Sequence, residues 1–363
     1  MKTITPQEFD SITDLRSEGL TALQPGVIEK DLLVTEALQV AVNLHNPDIR
    51  PVFCGGTCLS KAHRLINRMS EDIDFKLVVT EGLSRSGKKR ALSRFKRQLV
   101  SALQEAGFEI SPDGVRARNE NKYIEIILGY KSQFEDVYSM RPEVKVELSA
   151  LPPLLPTASF PVCSMMDELA GKPRSDLEIE CIGYAETLSE KVLSFLRRTA
   201  EHRAGRTRGQ YDERLIRHIY DVHSIITAHP KMQLPVDHFA GVVAGDAAQF
   251  QNQYPEFAAN AIGEMQKVLE ELKSGTGDFE RYYGEFVDEL VFGRKVPFSE
   301  ACSSFSRVAE SFLQSLEPAL KQEALSAWEA YQENGLHLSS EEADAWLAKL
   351  EAGEDVEPPK CHV

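Results

Sequence analysis

The stretch V-F-C-G-G-T-C-L-S-K-A-H-R-L-I-N-R-M-S-E-D-I-D-F-K-L-V-V, residues 52 to 79, decides the reading of the whole chain. Val52, Phe53 and Cys54 form an apolar strand that ends at Gly55-Gly56, a turn that no Cβ obstructs. Thr57 is placed to cap the helix that follows, with Leu59, Ala62, Leu65 and Ile66 as its apolar face. A second strand then opens on Asp72-Ile73-Asp74-Phe75. Strand side chains alternate, so Asp72 and Asp74 share one face while Ile73 and Phe75 enter the core. Two carboxylates aimed together from rigid backbone call for positive charge between them. A pair of Mg²⁺ ions holding a triphosphate supplies it.

Each motif alone has an ordinary explanation. Gly-Gly is commonly only a turn, and Asp-x-Asp at a strand start is commonly a solvated edge. On one strand–turn–helix–strand frame they are far more specific. The combination resembles the nucleotidyltransferase superfamily, and G-G-T-x-L-S-K followed by R-x-S-E-D-I-D-F resembles its AbiEii/AbiGii-type toxin branch. The fold this implies is α+β, a mixed sheet with flanking helices, followed by a helical C-terminal lobe.

Outward from that stretch, Pro25-Gly26 begins a helix with Val27, Leu32, Leu33, Leu38 and Val42 at helical spacing. The run Glu29-Lys30-Asp31 resembles the opening helix of the toxin family, yet as three adjacent charges it reads as a solvated helix face. Between residues 84 and 106, Leu92, Phe95, Leu99 and Leu103 form one face of an amphipathic helix. Lys88, Lys89, Arg90, Arg94, Lys96 and Arg97 give it a basic outer face able to meet a phosphate backbone. Short strands are expected at 108–110, 123–130 and 143–148. Prolines in 150–176 predict a loop-rich connection, and a further strand is expected at 177–182.

The resemblance extends over roughly residues 25 to 310 and implies roles for particular residues. Glu147 is the third carboxylate of a metal site with Asp72 and Asp74. E-x-x-x-E-K and R-H-I-Y-D-V match later family motifs and bring in Lys191, which would hold a triphosphate tail, and Asp221, which would orient Lys191 or the acceptor. His218 departs from the acidic or polar residue usual beside that aspartate. Gly55, Gly56 and Thr57 would face the phosphates, with Lys61 and Arg68 adding charge there or lying on the surface. The basic segment 199–211 reads as a mobile loop and a candidate for RNA contacts.

The activity implied is transfer of a nucleotide from an NTP, with two Mg²⁺ ions, to an RNA acceptor such as a tRNA 3′ end. The setting implied is a toxin–antitoxin or phage-defence system with a separately encoded antitoxin. Modification of a protein hydroxyl, or an idle fold that only binds RNA or a partner, are the alternatives.

Composition bounds these readings. The 363 residues have ordinary hydrophobic and charged fractions. No apolar run is long enough to cross a bilayer, and the N-terminus lacks a signal core. Six cysteines without a C-x-x-C pair, and nine histidines without zinc spacing, suggest reduced thiols in a cytoplasm. The net charge of −15 is uneven: residues 231–363 hold 24 acidic and 10 basic side chains, so residues 1–230 are nearly neutral. An acidic pI therefore does not exclude a nucleic-acid partner. The expected organisation is a catalytic core over 1–150, a connecting segment over 151–230 and a helical lobe over 231–315. An acidic tail over 316–363 weakly resembles small ribbon-helix-helix antitoxins through Trp328, Tyr331, Gly335, Leu336 and the capping run Ser339-Ser340-Glu341-Glu342.

Overall fold

A computed structural model describes residues 1–135, 140–172, 177–207, 209–334, 339–351 and 362. The chain forms two units, Met1–Ala309 and Glu310–Val363. In chain order the elements are α1 (Pro6–Ser17), α2 (Pro25–Val42), β1 (Ile49–Cys54), α3 (Gly55–Lys61), β2 (Asp72–Val79), α4 (Arg85–Glu105), β3 (Val115–Arg118), β4 (Tyr123–Gly129), β5 (Glu143–Ser149), β6 (Ala158–Pro161), α5 (Met165–Leu169), β7 (Glu178–Cys181), α6 (Tyr184–Arg203), α7 (Arg217–Ala228), α8 (Val236–Gln249), α9 (Pro255–Ala259), α10 (Ala261–Ser274), α11 (Phe279–Leu290), α12 (Phe298–Asn334) and α13 (Ser340–Glu351).

The strands form one mixed sheet in the order β3-β4-β5-β2-β1-β7-β6. β2 lies at its centre, antiparallel to β1 and parallel to β5. Alternation then sorts the two faces. Ile73, Phe75, Leu77, Val144, Val146, Leu148, Ile124, Ile126 and Leu128 are buried together with apolar residues of α2 and α4. The opposite face carries Asp72, Asp74, Lys145, Glu147 and Glu125, half-buried on neighbouring strands. With about 25 cal/mol gained per Å² of apolar surface removed from water, the apolar face fixes the strand register and thereby the carboxylate face.

Several elements differ from expectation. Thr57 does not cap α3: Cys54 is at that position and Thr57 lies inside the helix. Its buried hydroxyl donates to the Asp72 carbonyl and to Ser70 Oγ, which ties α3 to the start of β2. The helix ends at Lys61, short of Leu65 and Ile66. Glu29, Lys30 and Asp31 are all buried rather than solvated, at 1%, 0% and 4% exposure. Residues 108–110 contribute only a bridge from Glu109 to Gly129, while β3 and the pair β6 and α5 form where loops are expected. The basic 199–211 segment starts as the last turn of α6, to Arg203, and its described residues beyond that are turns and bends, with Arg203 paired to Glu271 and Arg206 to Glu256. Arg208, residues 173–176, Gly335 and Leu336 lie outside the described residues.

In the second unit, Ser339 and Glu342 form the expected reciprocal cap: Glu342 N donates to Ser339 Oγ at 3.3 Å and Ser339 N to Glu342 Oε2 at 2.9 Å. Among the described residues no helix is long and apolar enough to cross a membrane.

Candidate active site

The register places Cys54 opposite Asp74 on one side and Glu147 opposite Asp74 on the other. The Gly55 turn and all three carboxylates therefore converge on the polar face of the sheet. Gly55 has φ of +78°, and a Cβ there would fall 2.1 Å from Asp74 Oδ2. A Cβ on Gly56 would fall 2.8 Å from Arg68 Nη2 and from Ser70 Oγ. Gly55 is thus required by turn geometry and by the close approach of Asp74, and Gly56 by the close approach of Arg68 and Ser70. These residues border a cleft of about 280 Å³ that is also lined by Arg141, Lys145, Lys191, Arg198, Arg214, Arg217 and His218.

The carboxylates do not behave alike. Burial, then the charge of Glu147, then that of Asp72, pushes the Asp74 carboxyl well above the usual range. Burial opposes ionisation of Glu147 too, but Lys145 at 3.0 Å and the Tyr123 hydroxyl at 2.6 Å hold it below its ordinary value. Their surroundings thus drive the two carboxyls in opposite directions, Asp74 upward and Glu147 downward. Asp72 is raised by burial, against the pull of Lys145 and of Arg141, whose Nη1 donates to Oδ1 at 2.8 Å.

A second set of charges stands behind the cleft. Arg68 holds Asp221 in two hydrogen bonds, Nε to Oδ1 at 2.7 Å and Nη2 to Oδ2 at 2.8 Å, and Lys191 Nζ lies 2.9 Å from Oδ2. Burial disfavours the Asp221 carboxylate, but Arg68 and Lys191 outweigh it and keep the group ionised far into acid. His218 is driven well below its ordinary value by burial and by Lys191, so it is neutral at physiological pH. Burial and Arg68 lower Arg217 to about 10, which leaves it charged.

Every residue expected at the site has a definite place. Asp72, Asp74, Glu147, Gly56, Arg68 and Lys191 line the cleft, Gly55 meets Asp74, and Asp221 supports Lys191 and Arg68 from behind. Thr57 is turned away onto the Asp72 main chain. Lys61 is not brought to the cleft: its ammonium is bound to Asp31 Oδ1 at 2.6 Å and Thr35 Oγ1 at 2.8 Å. Neither Lys61 nor Arg68 is a surface residue, at 6% and 3% exposure. Sequence reasoning missed Arg141, Lys145 and Arg217 as cleft cations. Lys145 was accessible to it, since it lies two residues before Glu147 on an alternating strand; Arg141 lies in a loop with no pattern to reveal it.

A glycine turn against an Asp-x-Asp strand, a third carboxylate on the adjacent parallel strand and a lysine braced by a buried aspartate together define a nucleotidyltransferase. Residues 38–306 match the family of the nucleotidyl transferase AbiEii toxin of type IV toxin–antitoxin systems, and the chain belongs to that family. Among solved structures it is similar to MenT4, a nucleotidyltransferase toxin from Mycobacterium tuberculosis H37Rv, with 14% identity, a TM-score of 0.39, and coverage of 86% of this chain and 90% of that one. No curated protein matches it.

Proposed function

We propose that the chain transfers a nucleotide from an NTP to a hydroxyl of an RNA acceptor, a tRNA 3′ end being the type that the family resemblance implies. The observation that carries this reading is the double-glycine turn and three carboxylates at one end of a cleft whose remaining lining is strongly cationic. Arg141, Lys145, Lys191, Arg198, Arg214 and Arg217 offer fixed charge to a triphosphate tail and to the phosphate backbone of an acceptor. Arg198 is paired with Asp212 at 2.8 Å, and Lys191 is held in place by Asp221.

The donor set suits Mg²⁺, a hard cation that takes oxygen ligands. Asp74 and Glu147 lie opposite each other on β2 and β5 and each disfavours the other's charge, so a cation between them would be favoured over two bare carboxylates. Among the described residues no three acidic, histidine or cysteine side chains already form a metal cluster, and Asp72 is paired with Arg141. Asp74 and Glu147 would hold the ion beside that pair. Bound there, it would supply Lewis-acid stabilisation of the phosphoryl oxygens.

In the reaction the acceptor hydroxyl gives its proton to solvent as its oxygen bonds to the α-phosphorus, the bond from that phosphorus to the bridging oxygen of the β-phosphate breaks, and pyrophosphate leaves in line. Gly55 and Gly56 let Asp74 and Arg68 pack against the turn, which brings a carboxylate and a guanidinium to the place where the phosphates would sit. Lys191, kept rigid by Asp221, and Arg217 offset the growing charge on the leaving pyrophosphate.

Incubating the protein with each labelled NTP, Mg²⁺ and total RNA, alongside Asp74→Ala, tests this. Label on RNA with the unaltered protein alone is the expected result. Label on protein would favour a protein hydroxyl as acceptor, and absence of label with every NTP would overturn transfer.

A further inference from the structure

Lys30 is a fully buried lysine remote in sequence from every residue named at the cleft. Its ammonium donates to Glu71 Oε2 at 2.6 Å and also to the main-chain carbonyl of Arg141. The Arg141 N–H donates to the same Glu71 Oε2 at 2.9 Å. One ion pair thus clasps both main-chain polar groups of a single residue. That residue lies outside regular structure, two positions ahead of β5, so no strand ladder fixes it. Its side chain runs to the cleft floor, where Nη1 meets Asp72.

Burying the pair is costly. Lys30 is 0% exposed and Glu71 4%, and an apolar pair of similar volume would fill that space without desolvating two charges. What an apolar pair could not do is hold the Arg141 peptide. We propose that Lys30 and Glu71 are positioning residues for nucleotide transfer. They fix the Arg141 main chain so that its guanidinium stands beside Asp72 and meets the phosphate tail of the incoming NTP. This rests on the transferase reading above. It also gives the buried Glu29-Lys30-Asp31 run a role at the cleft: Asp31 anchors α5 through Met165 N at 2.6 Å, Glu29 receives Gln133 N at 2.8 Å, and Lys30 serves the site.

The test uses full-length protein in four forms: unaltered, Lys30→Met with Glu71→Leu, Arg141→Gln, and all three changes together. Four quantities are read: the thermal midpoint, the NTP Kd by calorimetry without divalent cation, and KM and kcat for transfer. The apolar pair is expected to unfold at or above the unaltered temperature. Its Kd and KM should rise on the order of tenfold, the loss typical of one charge-assisted phosphate contact. Arg141→Gln should match that loss, and the combined form should lose no more than either. An apolar-pair protein that keeps the original Kd and KM overturns the proposal, as does a combined loss equal to the product of the two. Should the apolar pair fail to fold, Arg141→Gln decides alone, since it leaves the clasp intact, and an unchanged Kd refutes the role. If the unaltered protein transfers label while these variants are normal, only this inference falls. If it neither binds nor transfers any NTP, the transferase reading falls and takes this inference with it.

Discussion

Asp74 and Asp221 are both buried aspartates, yet their neighbours drive them in opposite directions. Asp74 faces Glu147 and Asp72, and its carboxyl is raised above the unfolded value of about 3.9. Such a group costs the fold nothing below that value and weakens it as pH rises toward the folded pKa. Asp74→Asn keeps the shape and removes the repulsion. At pH 7 it should abolish transfer and raise the thermal midpoint by about 1–2 °C, the scale of about 1 kcal/mol in a chain of this size. The gain should fade as pH falls toward 4, and a lower midpoint at pH 7 would refute the repulsion of Asp74 by Glu147 and Asp72. Asp221 is the reverse case, with Arg68 and Lys191 holding its pKa down. Its contribution is present above the unfolded value and is lost as pH falls through the folded one. Asp221→Ala leaves two cations without their carboxylate and should cost about 3–5 kcal/mol in urea unfolding at pH 7. A loss under about 1 kcal/mol would show that Arg68 and Lys191 find other partners.

At the scale of elements, the turn between β1 and α3 carries the tightest constraint. Gly55→Ala must accept a left-handed φ and a methyl group in the space of Asp74 Oδ2. Strain of this kind costs about 1–3 kcal/mol, and here it also displaces a carboxylate. Loss of transfer together with a lowered thermal midpoint is the expected outcome. Gly245, inside α8 with nothing within 4 Å of its missing Cβ, is the contrast. Gly245→Ala should leave transfer intact and add about 0.5–1 kcal/mol of stability. The difference between these glycines also marks how far the sequence could be read. Period-two alternation placed Asp72 and Asp74 on one face because a strand determines side-chain direction locally, whereas Glu147, on another strand, joined them only through the family resemblance. The burial of Glu29, Lys30 and Asp31 was not legible, because their partners Gln133, Glu71, Arg141, Met165 and Lys61 come from distant segments. The same limit hid Arg141 and misplaced Lys61. A lysine in an apolar helix reads identically whether it meets a nucleotide or Asp31. Strands β3 and β6 were missed because each is only four residues long and partly exposed, too short for a pattern to rise above loop composition.

Across the whole molecule, the charge distribution would set the salt dependence of the proposed RNA acceptor's binding. The net charge of −15 resides almost entirely beyond residue 230, while the cleft is cationic. At roughly 10 mM ionic strength the screening length is about 30 Å, so acids anywhere on the chain repel an RNA backbone; at 0.15 M it is about 8 Å and only nearby charges count. Residues 316–363 carry 11 acidic and 3 basic side chains, and removing them should lower the KM for RNA at low salt. That advantage should disappear near physiological salt if the tail acts only through its net charge. The remaining KM should still climb steeply with salt, because phosphate contacts at the cleft release counterions on binding. A chain ending at Ser315, assayed for label transfer and growth inhibition across this salt range, separates the possibilities. An advantage that persists at 0.15 M would indicate a tail that blocks RNA by contact, and no advantage at any salt would remove the tail from RNA binding altogether.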